Sequence, residues 1–443
     1  METANRKLRI LFVAHGYPPE IAAGTERVVE RLARDYVHLG HTAAVIAGTF
    51  EPRPTIQIEK RLQGGVVVYQ IHRDDLYFDR WEKTYHPGVS AAISDIINEF
   101  KPDVVNVHQF IRLSRDITHL ATQARVPVVY TFHDFVTTCL IGFRAPGAGQ
   151  AYCDLLPAYH DCAPCAGTVS PAIPIVNISE FELLRSDLRN ELMLARARCA
   201  ISYSQREKLA KYHDLPIDMF RVVPLAPIVE LPRGSPAPEP PPLRIAVWGM
   251  QMERKGAHVL IDAVARCAGF VELDIFGRFD NLDYETRCRT LARGLPIRFH
   301  GRFEWDELIH TPLHLAVFPS LTFETFGLTF DEAWALGHPV VATDLGAYRE
   351  RADDTTILFK PGDSQALADI LLNYIKNPGV LAERRLRVSP PARFDVYSGQ
   401  MMQIYLEAIA LGPPPVADDQ FQQNAHPDLI EFNRRESEFR RRL

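Results

Sequence analysis

The chain has 443 residues, 47% of them hydrophobic and 23% charged, with a formal net charge of −6. That length is too great for one ordinary domain and suits two large ones. The composition is that of a soluble globular protein. The mildly acidic balance lacks the basic footprint of a nucleic-acid binder, and no apolar run reaches the ~18 residues of a membrane span.

The first strong element is LRILFVAHG, an apolar run ending in glycine that reads as a buried strand. It is short, broken by His15 and followed by Pro-Pro, so it does not read as a secretory leader. A helical pattern follows from about Thr25 to Leu39, then strands TAAVIAG and GVVVYQI, a helix ending AAISDIINEF, strand DVVNVHQF, a helix near 114–125 and strand VPVVYTFHD. Apolar strands alternating with helices imply βαβ units and a parallel sheet covered on both faces. Residues 1–227 are expected to form this first domain, with an insert at about 137–198.

Residues 228–242 carry six prolines in their last eleven positions and read as a stiff extended linker. The alternation then restarts over 243–392, with strands LRIAVWG, VELDIFG, LPIRFHG, LHLAVFPS and HPVVATD. The expected fold class is therefore α/β, two doubly wound Rossmann-like domains facing a cleft at their C-terminal strand edges, where ligands of such sheets bind. A helix at 393–411 is expected to return to the first domain. The tail 412–443 ends in the basic EFNRRESEFRRRL, read as a solvated polar helix or as an acidic-lipid contact.

The stretch PSLTFETFGLTFDEAWALGHPVVATD holds Glu324 and Glu332 with seven residues between them. Strand AVFPS stops at Pro319, and GLTFDEAWALG reads as a helix ended by Gly337. Glu324 then lies on the loop before the helix and Glu332 within it. The amides of Phe326, Gly327 and Leu328 fall at the helix N-terminus, which suits a phosphate, and Gly327 allows close backbone approach to a ligand. Acids beside such a site fit a ligand with several hydroxyls, such as a sugar or a ribose.

Glu-x7-Glu in this frame resembles the signature of retaining glycosyltransferases of family 4, with the GT-B fold. PPEIAAGTERVVERLARDY is similar to the family's entry loop, with Ala23-Gly24 where the family has a double glycine. DVVNVHQF, VVYTFHDF and WGMQMERKGAHVLIDA also fit. The resemblance spans about residues 8–410. It implies that His133 contacts the transferred sugar, that Lys255 faces the donor diphosphate, that Glu324 holds donor-sugar hydroxyls and that Glu332 holds the ribose. Asp134 would orient the acceptor or cap its turn. Gly24, Arg254, Phe326, Gly327 and Leu328 complete the expected donor site. Met250 replaces a family arginine, with Arg254 as the compensating cation. No Asp-x-Asp pair is present, so no active-site metal and no required cofactor are expected.

The implied activity is transfer of a sugar from a nucleoside-diphosphate-sugar (UDP- or GDP-linked) to a hydroxyl acceptor, such as a lipid-linked glycan of surface polysaccharide or glycolipid synthesis. The rivals are a non-catalytic glycan- or nucleotide-binding protein and a sugar-nucleotide epimerase. No nucleic-acid partner is expected. The seven cysteines read as reduced thiols in a cytoplasm, with peripheral contact at the inner membrane face as an addition. Cys139, Cys153, Cys162 and Cys165 fall in one loop-like stretch, and structural zinc, unligated thiols and disulfides all remain open for them.

Overall fold

The structure is a computed structural model, and it describes residues 6–75, 85–139, 142–145, 152–169 and 178–415. Two sheets form the frame. The first contains β1 (Arg9–Ala14), β2 (Thr42–Gly48), β3 (Gln57–Gln63), β4 (Val66–His72), β5 (Val104–Val107), β6 (Val128–Thr131), β7 (Ala197–Ala200) and β8 (Phe220–Val222), in the order β3-β4-β2-β1-β5-β6-β7-β8. All its pairings are parallel except the β3–β4 hairpin.

The second sheet contains β9 (Leu243–Val247), β10 (Val271–Phe276), β11 (Ile297–Gly301), β12 (Leu315–Phe318), β13 (Val340–Thr343) and β14 (Thr356–Phe359), in the order β11-β10-β9-β12-β13-β14, parallel throughout. Strands such as β1, β5, β6, β12 and β13 are buried on both faces, and for that reason they read as unbroken apolar runs. β3, QIEKRLQ, is an exposed polar edge strand with no such run, and sequence reasoning missed it.

The helix Phe394–Leu411 packs with the first sheet's core. Phe394, Tyr397, Met401, Ile404 and Tyr405 join a cluster with Phe12, Val29, Leu32 and Tyr36. The Tyr405 hydroxyl donates to Asn106 Oδ1 at 2.6 Å, and that of Tyr36 donates to the Ser398 carbonyl at 2.7 Å. Among the described residues no helix is long and apolar enough to cross a membrane. The basic end of the tail lies outside the described residues.

Candidate active site

The C-terminal ends of both sheets face one cleft, and each functional side chain leaves from a strand end. In the second domain, β12 stops at Phe318 and residues 319–327 loop to the helix Leu328–Ala335. Glu324 on that loop is held from behind, its carbonyl accepting from Ala347 N at 2.8 Å. β9 leads to a 3₁₀ turn, Glu253–Lys255, closed by Gly256 at φ +77°. A Cβ there would lie 2.1 Å from the Pro319 carbonyl oxygen, so only glycine lets this turn abut the Glu324 loop.

The two segments meet at Lys255 Nζ and Glu324 Oε1, 2.5 Å apart. Ser320 Oγ donates to the same carboxylate oxygen. Glu324 is 8% exposed. Burial pushes its pKa up, but Lys255, Ser320 and the Arg254 charge together outweigh burial and hold the carboxyl below its ordinary range. Lys255 is therefore a cation facing an anion in the pocket wall.

From the first domain, β6 ends in Phe132-His133-Asp134. Burial, aided by His15 and opposed by Glu26, lowers His133 to about 4, so its ring is neutral at physiological pH. Its Nε2 lies 2.8 Å from His108 Nδ1, the rings stacked at 5.1 Å. Asp134 accepts from Gln109 Nε2 at 2.8 Å and from Val136 N at 2.9 Å, which places it as the cap of its turn. Behind them His15 and the fully buried Glu26 pair at 2.7 Å, and Glu26 also accepts from Ala23 N at 3.1 Å, fixing the start of the helix Gly24–His38.

These groups line one pocket of about 140 Å³ with His133, Asp134, Phe135, Gly142, Phe143, Arg254, Lys255 and Glu324 in its wall. That is below the ~300–1,000 Å³ of ordinary small-molecule sites, and contacts between the domains surround it. Thr325 Oγ1 donates to the His133 carbonyl at 2.8 Å. Phe323 packs on Tyr152 and Phe135, at ring-centroid distances of 4.8 and 5.4 Å. Arg254 lies over the Phe143 ring at 3.8 Å. Glu350 accepts from the Tyr203 and Ser204 amides at 2.9 and 2.7 Å.

The other expected donor-site residues, Gly24, Phe326, Gly327, Leu328 and Glu332, are not in this pocket's wall. Gly24 and Leu328 face each other, since a Cβ on Gly24 would lie 3.8 Å from Leu328 Cδ1. Phe326 is buried in the first domain's core cluster, with Arg351 over its ring at 3.9 Å. Gly327, at φ +78°, packs against Tyr348, to which a Cβ would approach within 2.2 Å. The close approach this glycine allows is thus to a ring of its own domain. Glu332 accepts from Trp248 Nε1 at 2.7 Å, and burial raises its pKa to about 7. Met250, 40% exposed, leaves Arg254 and Lys255 as the cations of this wall. Sequence reasoning gave no role to His108, Phe143, Phe323 or Thr325. His108 carried a signal, a histidine at the C-terminal end of β5, but the other three act through contacts between domains.

The description "Glycosyltransferase Family 4" matches residues 22–226, and "Glycosyl transferases group 1" matches residues 242–377. The chain belongs to the family 4, group 1 glycosyltransferases. The chain is 38% identical over 165 residues to the phosphatidyl-myo-inositol mannosyltransferase of Mycobacterium leprae (strain TN), covering 34% of this chain and 43% of that protein. Its counterpart from Mycolicibacterium smegmatis (strain ATCC 700084 / mc(2)155) is 33% identical over 162 residues, covering 34% and 42%. The matches thus span less than half of either curated relative. Over nearly its whole length the chain shares the GT-B fold of solved structures. Anabaena Alr3699/HepE in complex with UDP-glucose superimposes with a TM-score of 0.58 at 17% identity, covering 91% of this chain and 100% of that one. The catalytic domain of Arabidopsis thaliana starch synthase IV bound to ADP and acarbose gives 0.62 at 14%, with the same coverage.

Proposed function

We propose that this protein transfers a sugar from a nucleoside-diphosphate-sugar to a hydroxyl of a glycolipid or lipid-linked glycan, with retention of anomeric configuration. The observation that carries the reading is the Lys255–Glu324 pair facing neutral His133 across one pocket. The neighbour holding UDP-glucose supports a nucleotide-sugar donor, and the relatives named as phosphatidyl-myo-inositol mannosyltransferases support a glycolipid acceptor. Contact with a membrane surface, from the cytoplasmic side, accords with such an acceptor.

In this mechanism Lys255 leaves Glu324 for the diphosphate, and with Arg254 and the amides at 326–328 it stabilises charge on the leaving group. Glu324, freed of its cation, accepts from donor-sugar hydroxyls. Glu332 accepts from the ribose, and His133 hydrogen-bonds the sugar from the other domain. The acceptor oxygen bonds to the anomeric carbon as the bond from that carbon to the phosphate oxygen breaks. The acceptor's proton passes to the departing diphosphate. The two protein cations supply the neutralisation that a divalent ion supplies in other glycosyltransferases.

A thermal-shift panel of UDP-, GDP-, ADP- and dTDP-sugars tests the donor, because a ligand of the folded state raises Tm. One nucleotide class is expected to shift Tm, with the shift unchanged by EDTA. Absence of a shift with every donor at millimolar concentration overturns the reading.

A further inference from the structure

The cysteine-bearing insert after β6 forms part of the pocket wall through Gly142 and Phe143, yet its thiols take no part in the chemistry above. Its four cysteines lie on three backbone segments. Arg144 ties two of those segments side by side. Cys153 N donates to the Arg144 carbonyl at 2.8 Å, Arg144 Nε donates to the Cys153 carbonyl at 3.0 Å, and Arg144 Nη1 donates to the carbonyl of Thr138, next to Cys139, at 3.1 Å. Cys162 and Cys165 are three residues apart on the helix Tyr159–Val169 and share one of its faces. All four are half-buried, and none is in a disulfide. Burial, with the thiolates of Cys139, Cys153 and Cys162 nearby, pushes Cys165 up to about 11.

The insert is anchored at Tyr152 and Asp154, which bond Tyr212, Lys208 and Lys211, but the stretch that carries Cys162 and Cys165 is weakly built. Its helix contains Pro164 between the two cysteines and Gly167 near its end, both poor helix formers. Leu155 and Leu156 are 58% and 57% exposed. A crosslink among its thiols would hold such a stretch in one shape.

We propose that Cys139, Cys153, Cys162 and Cys165 bind one zinc ion, which fixes the insert as a wall of the cleft. Four thiolates complete a tetrahedral shell and leave no open position, so the ion is structural. Soft sulphur ligands select zinc over magnesium or calcium. Each thiol gives its proton to solvent as it binds. Without the ion the sulphurs stand wider than a closed site: among the described residues, the cluster with ligand atoms within 4.8 Å of one another is Asp74, Asp75 and His86. That cluster is already satisfied. Arg73 grips both oxygens of Asp75 at 2.6 and 2.9 Å, and His86 bonds Asp74 at 2.8 Å and caps a helix at Val89 N.

The test needs no assay of activity. Full-length protein, purified without chelator or added metal, is analysed for zinc and iron by plasma mass spectrometry. One zinc per chain is expected, and the Cys162→Ser/Cys165→Ser variant should hold less than a tenth of that. Cys267→Ser, at a buried position in the second domain, should hold the full amount. If the double variant does not fold, the wild-type protein still decides. A mercurial should release the zinc to a metallochromic dye in step with thiol titration, and cobalt exchanged into the site should show thiolate-to-metal charge-transfer bands. Zinc below a tenth per chain, iron with labile sulphide in its place, or a Cys162–Cys165 disulfide overturns the proposal.

Discussion

The Thr325 hydroxyl donates to the His133 carbonyl at 2.8 Å, and that bond runs from one domain to the other at the mouth of the pocket. It fixes the residue beside Glu324 to the backbone of the histidine opposite. Thr325→Val removes one neutral hydrogen bond, worth ~0.5–1.5 kcal/mol, from the closed state only. Donor Kd should therefore weaken up to about ten-fold while Tm stays nearly constant. Glu350→Ala removes the second latch, on the Tyr203 and Ser204 amides. It should enlarge the radius of gyration in solution scattering, and saturating donor should reverse the change. An unchanged scattering profile in both variants would mean that these contacts do not set closure.

Lys255 and Glu324 make unequal demands on the fold. Lys255→Ala leaves a nearly buried carboxylate with Arg254 as its remaining cation. Breaking a fully buried pair costs ~3–5 kcal/mol, but the Lys255 side chain is 36% exposed, so the loss in stability should fall below that range. Turnover should fall further, by about 10²–10³-fold, as when other groups that stabilise transition-state charge are removed. Glu324→Gln should match that loss in kcat with Tm nearly unchanged. Turnover within three-fold of wild type in both variants would remove the pair from the chemistry.

His133 bonds His108 through Nε2, so its tautomer is shared with a second buried ring. His108→Phe keeps a ring for stacking and deletes the partner nitrogen. A loss of one oriented hydrogen bond predicts roughly a ten-fold fall in kcat. The ¹⁵N shifts of the His133 ring should change tautomer in the variant, and a merely structural role for His108 would leave them as they are. With His133 lowered to about 4, kcat of the native protein at saturating donor should not titrate near 6.5.

Glu332 titrates at the other end of the site. Burial raises it from 4.5 to about 7, so the folded state holds a proton that the unfolded state releases. Its contribution to stability is full below about 4.5 and is lost as pH rises through about 7. Donor binding runs the opposite way, because only the carboxylate accepts from both ribose hydroxyls. Donor kcat/KM should therefore fall as pH drops below 7, while kcat stays flat. Glu332→Gln should lower kcat/KM at pH 8 and abolish its acid limb. An acid limb that persists in the variant assigns that titration elsewhere.

Several of these features were legible because they are local. β1, β6, β9, β12 and β13 are buried on both faces, and their apolar runs announced them. His133, Lys255 and Glu324 lie just beyond strand ends, where a doubly wound fold presents its ligand groups. Thr325, Phe323 and Phe143 were not legible. Each matters through a partner in the other domain, and no short-range pattern encodes that pairing. β3 was missed because an edge strand facing solvent carries no burial signal.

Gly327 shows how the right residue can be found for a reason the structure revises. Its φ of +78° disfavours any side chain, and a Cβ would meet Tyr348 Cε1 at 2.2 Å. Tyr348 has no room to turn away, since it is 2% exposed and stacks on Phe330 at 4.3 Å with the rings 4° from parallel. Gly327→Ala should therefore cost ~1–3 kcal/mol of backbone strain plus the cost of overpacking, another ~1–3 kcal/mol. At ~2–4 °C per kcal/mol for a domain of this size, Tm should fall by several degrees. Tyr348→Ala opens a cavity and should cost ~3–5 kcal/mol alone. The double variant separates strain from collision. If the ring is the obstacle, Gly327→Ala costs markedly less in the Tyr348→Ala background, and the two losses fall short of additivity by 1 kcal/mol or more. Strict additivity would leave backbone strain as the whole cost.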